Sequence, residues 1–337
     1  MYCLKDVGPP TIYVGAKISR HQLNNDRETW FISAEEYLAK AIPIIEENYG
    51  ALKALFKGKL DALAAPDYHP ELDSSDFLND NDTRLYQSYV GILRWAIELG
   101  RIDLAHTGAT MATFMAVPRK GHMVAILRVF ACLRKHISCK LVVDPQECDW
   151  SNKIWISADW KESYPDIKDN LPSNAPKPRG KSIQLNMFCD ASHATNLVTR
   201  RFTTGIIIFL NGTPVKWYSK RQNTIESSTF GSKFVALKIA AEMNDAMCYK
   251  LYMLGIPISE STNTFCDSNS VVLNATRPKS TLQKEHNSIA YHKVLEFVAT
   301  EAMRIHHEPG TSNLAHVLTK WLPPHKNLEL CHYVLWH

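Results

Sequence analysis

Four short segments of the sequence carry residue types that could do chemistry. Phe188-Cys-Asp-Ala-Ser192 and Phe265-Cys-Asp-Ser268 each set an aspartate, Asp190 or Asp267, at the end of an expected strand. Ser227-Ser-Thr-Phe-Gly-Ser-Lys-Phe234 offers Lys233, and Asn313-Leu-Ala-His-Val-Leu-Thr-Lys320 offers His316. Carboxylates are the hard oxygen ligands that Mg²⁺ demands. A protonated ammonium donates and cannot ligate. Neutral imidazole can ligate, with a preference for Zn²⁺ or Mn²⁺ over Mg²⁺. Glu226 and Glu242 are the carboxylates near Lys233 in sequence, but Glu226 precedes the expected helix and Glu242 falls on roughly its opposite face. A second group is basic: Arg200, Arg201, Lys216, Lys220 and Arg221. It suits a phosphate backbone, or it simply solvates an edge strand. His306, His307 and His332 read as surface histidines.

The elements that must position these side chains follow from apolar periodicity. Ile183 to Cys189 reads as a strand. Gly205 to Leu210 and Pro214 to Tyr218 flank Asn211-Gly212, a hairpin signal. Thr229 to Leu254 reads as a long helix, apolar at Phe230, Phe234, Leu237 and Ala241 and stopped by Gly255-Ile-Pro257. Thr264 to Asp267 is a buried strand, Asn269 to Asn274 and Asn287 to Ala299 are helices, Met303 to His307 is a strand, and Ser312 to Lys320 is a last helix. The order β-β-β-α-β-α-α-β-α predicts an α/β fold with a mixed sheet and helices on its faces.

Upstream, Thr11 to Leu23 and Thr29 to Ile32 form a hairpin about Asn24-Asn-Asp26. Ser33-Ala-Glu-Glu36 is a capping box that opens a helix running to about Tyr49. Residues 64–82 read as a linker. Leu85 to Gly100 and Met111 to His136 read as helices, and Leu141 to Val143 as a short strand. Residues 165–181, with Ala175-Pro-Lys-Pro-Arg-Gly180, mark the clearest domain boundary.

A chain of 337 residues with 45% hydrophobic and 21% charged content is long enough for two or three domains with real cores. The net charge of +4 suits a polyanionic partner without requiring one. The eight cysteines include no C-x-x-C pair, which points to reduced, buried thiols in an intracellular protein and away from a disulfide framework or a zinc site. The first residues lack the pattern of a signal peptide. No apolar run approaches the roughly 18 residues of a membrane span, so a membrane partner is not expected.

In order and spacing, the four segments resemble the active-site segments of the ribonuclease H domain in copia-type retrotransposon Pol polyproteins. Val198-Thr-Arg-Arg201, Thr204-Gly205, Trp217-Tyr-Ser-Lys-Arg-Gln222 and Tyr291-His292 also sit where that family has them. Leu4-Lys-Asp-Val-Gly8 with Tyr13-Val-Gly15 resembles the stretch that follows the polymerase Asp-Asp motif. Tyr86-Gln-Ser-Tyr-Val-Gly-Ile-Leu-Arg-Trp95 resembles the thumb helix of reverse transcriptases. Pro118-Arg-Lys-Gly-His122 and the helix after it fit the same family.

The resemblance implies a reverse-transcriptase palm and thumb piece over 1–63 and a helical thumb/connection region over 64–164. A linker over 165–181, a ribonuclease H-like domain with a mixed five-stranded sheet over 182–325, and a tail over 326–337 follow. It implies that Gly91 and Trp95 track the minor groove of a primer–template, although their spacing alone reads as a core tryptophan on an amphipathic helix. In the family each active-site segment delivers a carboxylate to a pair of Mg²⁺ ions, which make the attacking hydroxide and neutralise the leaving oxygen. Here Asp190 and Asp267 remain as catalytic and metal-binding residues, while Lys233 stands for Glu and His316 for Asp. Ser192 and Asn196 sit where relatives often carry Asp. The expected function is therefore a truncated reverse transcriptase/ribonuclease H fragment without catalysis. It would still bind RNA–DNA hybrid or other nucleic acid through Gly91, Trp95, Arg200, Arg201, Lys220 and Arg221. The alternative is an active two-metal ribonuclease H within a Pol polyprotein. Other Pol or Gag products are further expected partners.

Overall fold

A computed structural model describes residues 8–22, 28–48, 62–65, 67–167, 174–192, 196–226, 228–278 and 288–336. The expected turn at Asn24-Asn-Asp26, Leu4 to Val7 and Ser227 lie outside them. The chain divides into two compact units, one of Met1–Asp144 with Pro323–His337 and one of Pro145–Leu322.

The first unit begins with β1 (Ile12–Tyr13), β2 (Ala16–Gln22) and β3 (Glu28–Ser33). Helix α1 (Glu35–Asn48) follows, and the Ser33 hydroxyl accepts from the Glu35 backbone N–H at 3.1 Å. Helix α1 buries Leu38, Ala41, Ile42 and Ile45, a helical spacing that turns one apolar face to the core. Helix α2 (Asp80–Glu98) starts five residues earlier than the apolar pattern indicates. The Asn79 side chain accepts from the Asp82 N–H, so a polar first turn can form ahead of the buried residues.

The single helix expected over Met111 to His136 is two, α3 (Ala105–Ala112) and α4 (Lys120–Lys135). Pro118 lies in the break, and the His122 ring accepts from the Arg119 N–H at 3.0 Å to restart the helix. Residues 64–82 are likewise no free linker. The Ser75 hydroxyl accepts from the Gly121 N–H, Asp76 pairs with Lys120, and Phe77 bridges to Arg119. Strand β4 (Lys140–Val143) pairs with β3.

The second unit holds β5 (Leu185–Ala191), β6 (Thr203–Leu210), β7 (Thr213–Arg221), α5 (Thr229–Met253), β8 (Thr262–Cys266), α6 (Asn269–Ala275), α7 (Ser288–Ala299) and β9 (Met303–His307). The sheet order is β7-β6-β5-β8-β9. The β5–β6 and β6–β7 pairs are antiparallel, and β5–β8 and β8–β9 are parallel. A mixed five-stranded sheet with helices on its face is the fold class that the resemblance implies. One face carries Met187, Cys189, Ile206 and Ile208 against Phe234, Leu237 and Ala241 of α5 and Val294 of α7. The opposite face is aromatic: Phe188 stacks on Phe265 at 4.6 Å, and Trp150 lies 4.6 Å from Phe265.

That aromatic face explains why the division falls at 144/145 and not at 165–181. Trp150 donates its indole N–H to Asn186, and Trp155 packs on Phe265, so the 145–160 stretch belongs to the second sheet. The expected helix from Ser312 to Lys320 is only a 3-10 turn, Leu314–Leu318. The expected tail is ordered in the first unit, as α8 (Pro324–Cys331) and β10 (Leu335–Trp336), which pairs antiparallel with β4. No helix among the described residues is long and apolar enough to cross a membrane.

Candidate functional site

Asp190 is the penultimate residue of β5, and Asp267 directly follows β8. Their strands are parallel neighbours in register, Cys189 beside Cys266, so both carboxylates emerge at one sheet end. Lys233 stands one turn into α5, whose start is fixed by the Ser228 hydroxyl accepting from the Gly231 N–H. Its ammonium contacts Asp190 Oδ1 at 3.3 Å and bonds Asp267 Oδ2 directly. Asp190 is buried, with a side chain 1% exposed; those of Asp267 and Lys233 are 8% and 14% exposed.

His316 comes in from the 3-10 turn. Its Nε2 lies 3.7 Å from Asp190 Oδ2, and its Nδ1 lies 2.6 Å from the Gly310 carbonyl. Thr319, unremarked in the sequence, donates its hydroxyl to Asp190 Oδ2 at 2.8 Å. The turn can approach because Gly205 faces it: a Cβ there would lie 2.7 Å from the Ala315 carbonyl oxygen. The Asn313 amide ties the same turn to the Cys189 carbonyl at 3.0 Å. The sequence signal for Thr319 and Asn313 was their place in the fourth segment, which gives position but not a bonding partner.

The charges are interdependent. Burial raises the Asp190 pKa, but His316, Lys233 and the Thr319 hydroxyl outweigh it and hold the carboxyl below its usual range. Burial and the Asp190 charge lift Asp267 above its usual range, against the opposing pull of Lys233. Burial opposes the Lys233 charge, but Asp190 and Asp267 keep its pKa raised.

Donor atoms of Asp190, Asp267 and His316 all lie within 4.8 Å of one another. That grouping could hold a metal ion. It does not fit a pair of Mg²⁺ ions, because it holds only two carboxylates among the described residues and a tethered cation already contacts both. The other nearby carboxylates do not join it. Glu242 pairs with Lys238 at 2.7 Å, and Glu226 is buried outside the grouping. Ser192 accepts from the Thr203 N–H, and Asn196 caps Thr199.

The basic residues gather at the same sheet end. Asp190 pairs with Gly205, Gly205 with Ser219, and Thr203 with Arg221. Arg200 and Arg201 precede β6, and Lys220 and Arg221 close the edge strand β7. Arg200 and Lys220 are exposed, while Arg201 and Arg221 are half-buried. Arg200 adopts the left-handed region, φ 55°. His306 is half-buried and bonds the Ile154 carbonyl at 2.9 Å, so it serves the aromatic face; His307 is also half-buried and His332 is exposed.

In the first unit, Trp95 is 39% exposed, which overturns the reading of a core tryptophan. Gly91 lies one turn before it on the same exposed side, with open space where a Cβ would stand. The apolar face of α2 is carried instead by Tyr86, Tyr89, Val90, Leu93, Ala96 and Ile97, leaving Trp95 outside it.

The retrovirus-related Pol polyprotein from transposon TNT 1-94 of Nicotiana tabacum is 24% identical over 335 residues, 97% of this chain. The corresponding polyprotein from transposon RE1 of Arabidopsis thaliana is 25% identical over 71% of the chain. Its homologues are retrovirus-related Pol polyproteins of copia-type transposons. The chain spans 22% of the first relative's length and 14% of the second's. A putative transposon Ty5-1 protein of Saccharomyces cerevisiae is 25% identical over 66% of this chain and 56% of its own length. No family model matches. The N-terminal RNase H domain of a Mycobacterium tuberculosis protein aligns over 41% of this chain and 91% of that chain, with 12% identity and a TM-score of 0.31.

Proposed function

We propose that this Pol homologue is a nucleic-acid-binding reverse transcriptase/ribonuclease H segment whose ribonuclease H-like unit no longer performs Mg²⁺-dependent hydrolysis. The observation that carries this is the Lys233 ammonium lying between Asp190 and Asp267. Two dications do not fit a space that the tethered Lys233 ammonium already occupies, and two of the four carboxylates that the resemblance implies are replaced. Like-charge repulsion and the lost ligand act in the same direction.

Binding is expected to survive, since affinity for nucleic acid comes mainly from phosphate contacts. Arg200, Arg201, Lys220 and Arg221 offer such contacts at one sheet end, and Gly91 and Trp95 lie on an exposed side of α2 in the other unit. An RNA–DNA hybrid is the partner this combination suits.

The test is a cleavage assay on a labelled hybrid with Mg²⁺, run beside a binding titration over a range of salt. Expected are intact RNA and an affinity that falls steeply with salt. Cleavage that requires Mg²⁺ and disappears in Asp190→Asn would overturn the loss of catalysis. Salt-independent affinity would overturn the binding.

A further inference from the structure

The same four side chains that reject a Mg²⁺ pair are arranged for a different ion. Asp267 Oδ1 is buried and has no hydrogen-bond partner among the described residues. It belongs to a side chain only 8% exposed, in the grouping whose donor atoms all lie within 4.8 Å. The Gly310 carbonyl can only accept, so the 2.6 Å contact keeps a proton on Nδ1 in the charged ring and in the neutral one alike. In the neutral ring Nε2 is then left with its lone pair, on the side facing Asp190 Oδ2 at 3.7 Å. Metal-ligating histidines ordinarily donate their second ring N–H in this way, which fixes both tautomer and orientation. Gly310 makes room for it, since a Cβ there would lie 2.8 Å from His316 Cε1. Thr319 likewise holds Asp190 by a hydrogen bond to Oδ2.

Two carboxylates and one imidazole nitrogen form a borderline donor set, better matched to Zn²⁺ than to Mg²⁺. We infer that the site takes a single Zn²⁺, held by Asp190, Asp267 and His316, in exchange for the Lys233 ammonium. Lys233 is then a built-in competitor: it fills the site when the ion is scarce and swings out when the ion binds. This goes beyond the proposed loss of Mg²⁺-dependent cleavage and does not depend on nucleic acid.

The experiment is calorimetric titration of the purified chain with Zn²⁺ and, separately, with Mg²⁺, without nucleic acid. Expected is one Zn²⁺ per chain at this site and no comparable Mg²⁺ binding. His316→Ala should weaken that binding by about tenfold or more, the order found even for outer partners of a metal site. Lys233→Met should tighten it by a similar factor, because the competitor is gone. Circular dichroism checks that each variant is folded; if Lys233→Met does not fold, the His316→Ala comparison decides alone. Absence of Zn²⁺ binding in the parent chain and in folded Lys233→Met would overturn the inference. So would Zn²⁺ binding unchanged by His316→Ala, which would place the ion on other histidines or thiols, and so would equal affinity for Mg²⁺.

Discussion

Replacing Lys233 with Met removes the cation between two buried carboxylates and leaves the aliphatic part of the side chain nearly intact. Lys233, Asp190 and Asp267 have side chains 14%, 1% and 8% exposed, so water screens little of their interaction. Breaking a buried pair by deleting one partner costs about 3–5 kcal/mol, most of it from the charge left uncompensated. For a unit of this size each kcal/mol moves the midpoint by about 2–4 °C, so melting should fall by roughly 6–20 °C at neutral pH. The pH dependence supplies a sharper signature. Asp190 has a folded pKa below its ordinary 3.8, so its stabilising share is present above that value and is lost as pH falls through the lower folded pKa. Asp267 has a folded pKa above 3.8, so its ionisation costs stability as pH rises through that raised value. Without the ammonium the Asp267 penalty grows. Moderate acidification from neutral pH should therefore raise the melting temperature of Lys233→Met and narrow its gap from the parent chain. Melting curves by circular dichroism over a pH series measure this. A variant that melts within 2 °C of the parent at pH 7, with the same pH slope, would refute the view that Lys233 neutralises the pair.

Lys233→Glu together with His316→Asp should create Mg²⁺ binding measurable by calorimetry, because Asp190 and Asp267 keep their places; Lys233→Glu alone should do more than His316→Asp alone. Gly205→Ala should destabilise the second unit by about 1–3 kcal/mol, as overpacking does, read as a lower urea midpoint; its Cβ would stand 2.7 Å from the Ala315 oxygen. Changing Arg200, Arg201, Lys220 and Arg221 together to Ala should flatten the salt dependence of hybrid binding by roughly one unit of slope per lost phosphate contact. Trp95→Ala should shift stability by less than about 0.5 kcal/mol, as surface changes do, yet weaken hybrid binding in an electrophoretic shift assay.

The sequence by itself determined the order of elements in the second unit and the four segments of the site. Strands β5 and β8 are marked by the Phe-Cys-Asp triplets that close them, and the Asn211-Gly212 turn fixes the hairpin between β6 and β7. Such signals are local: a period of two or 3.6 residues and a turn residue act within one element. Through the resemblance it also implied that Lys233 and His316 stand where carboxylates are expected. What it could not give was how far each side chain reaches and what it meets. That Lys233 contacts both aspartates and that Thr319 holds Asp190 follow from packing between elements 34 to 129 residues apart in the chain; that His316 turns Nδ1 to Gly310 is a local contact, but one set by the fold of the turn rather than by residue type. The boundary at 144/145 and the return of β10 to β4 were hidden for the same reason. Trp150 and Trp155 look like loop residues until Phe188 and Phe265 present an aromatic face to cover. Leu335 pairs with Leu141 only once the rest of the first sheet exists. Trp95 shows the limit of periodicity from the other side: its place on α2 was legible, but whether that side met a core or solvent depended on neighbours that only the tertiary fold supplies.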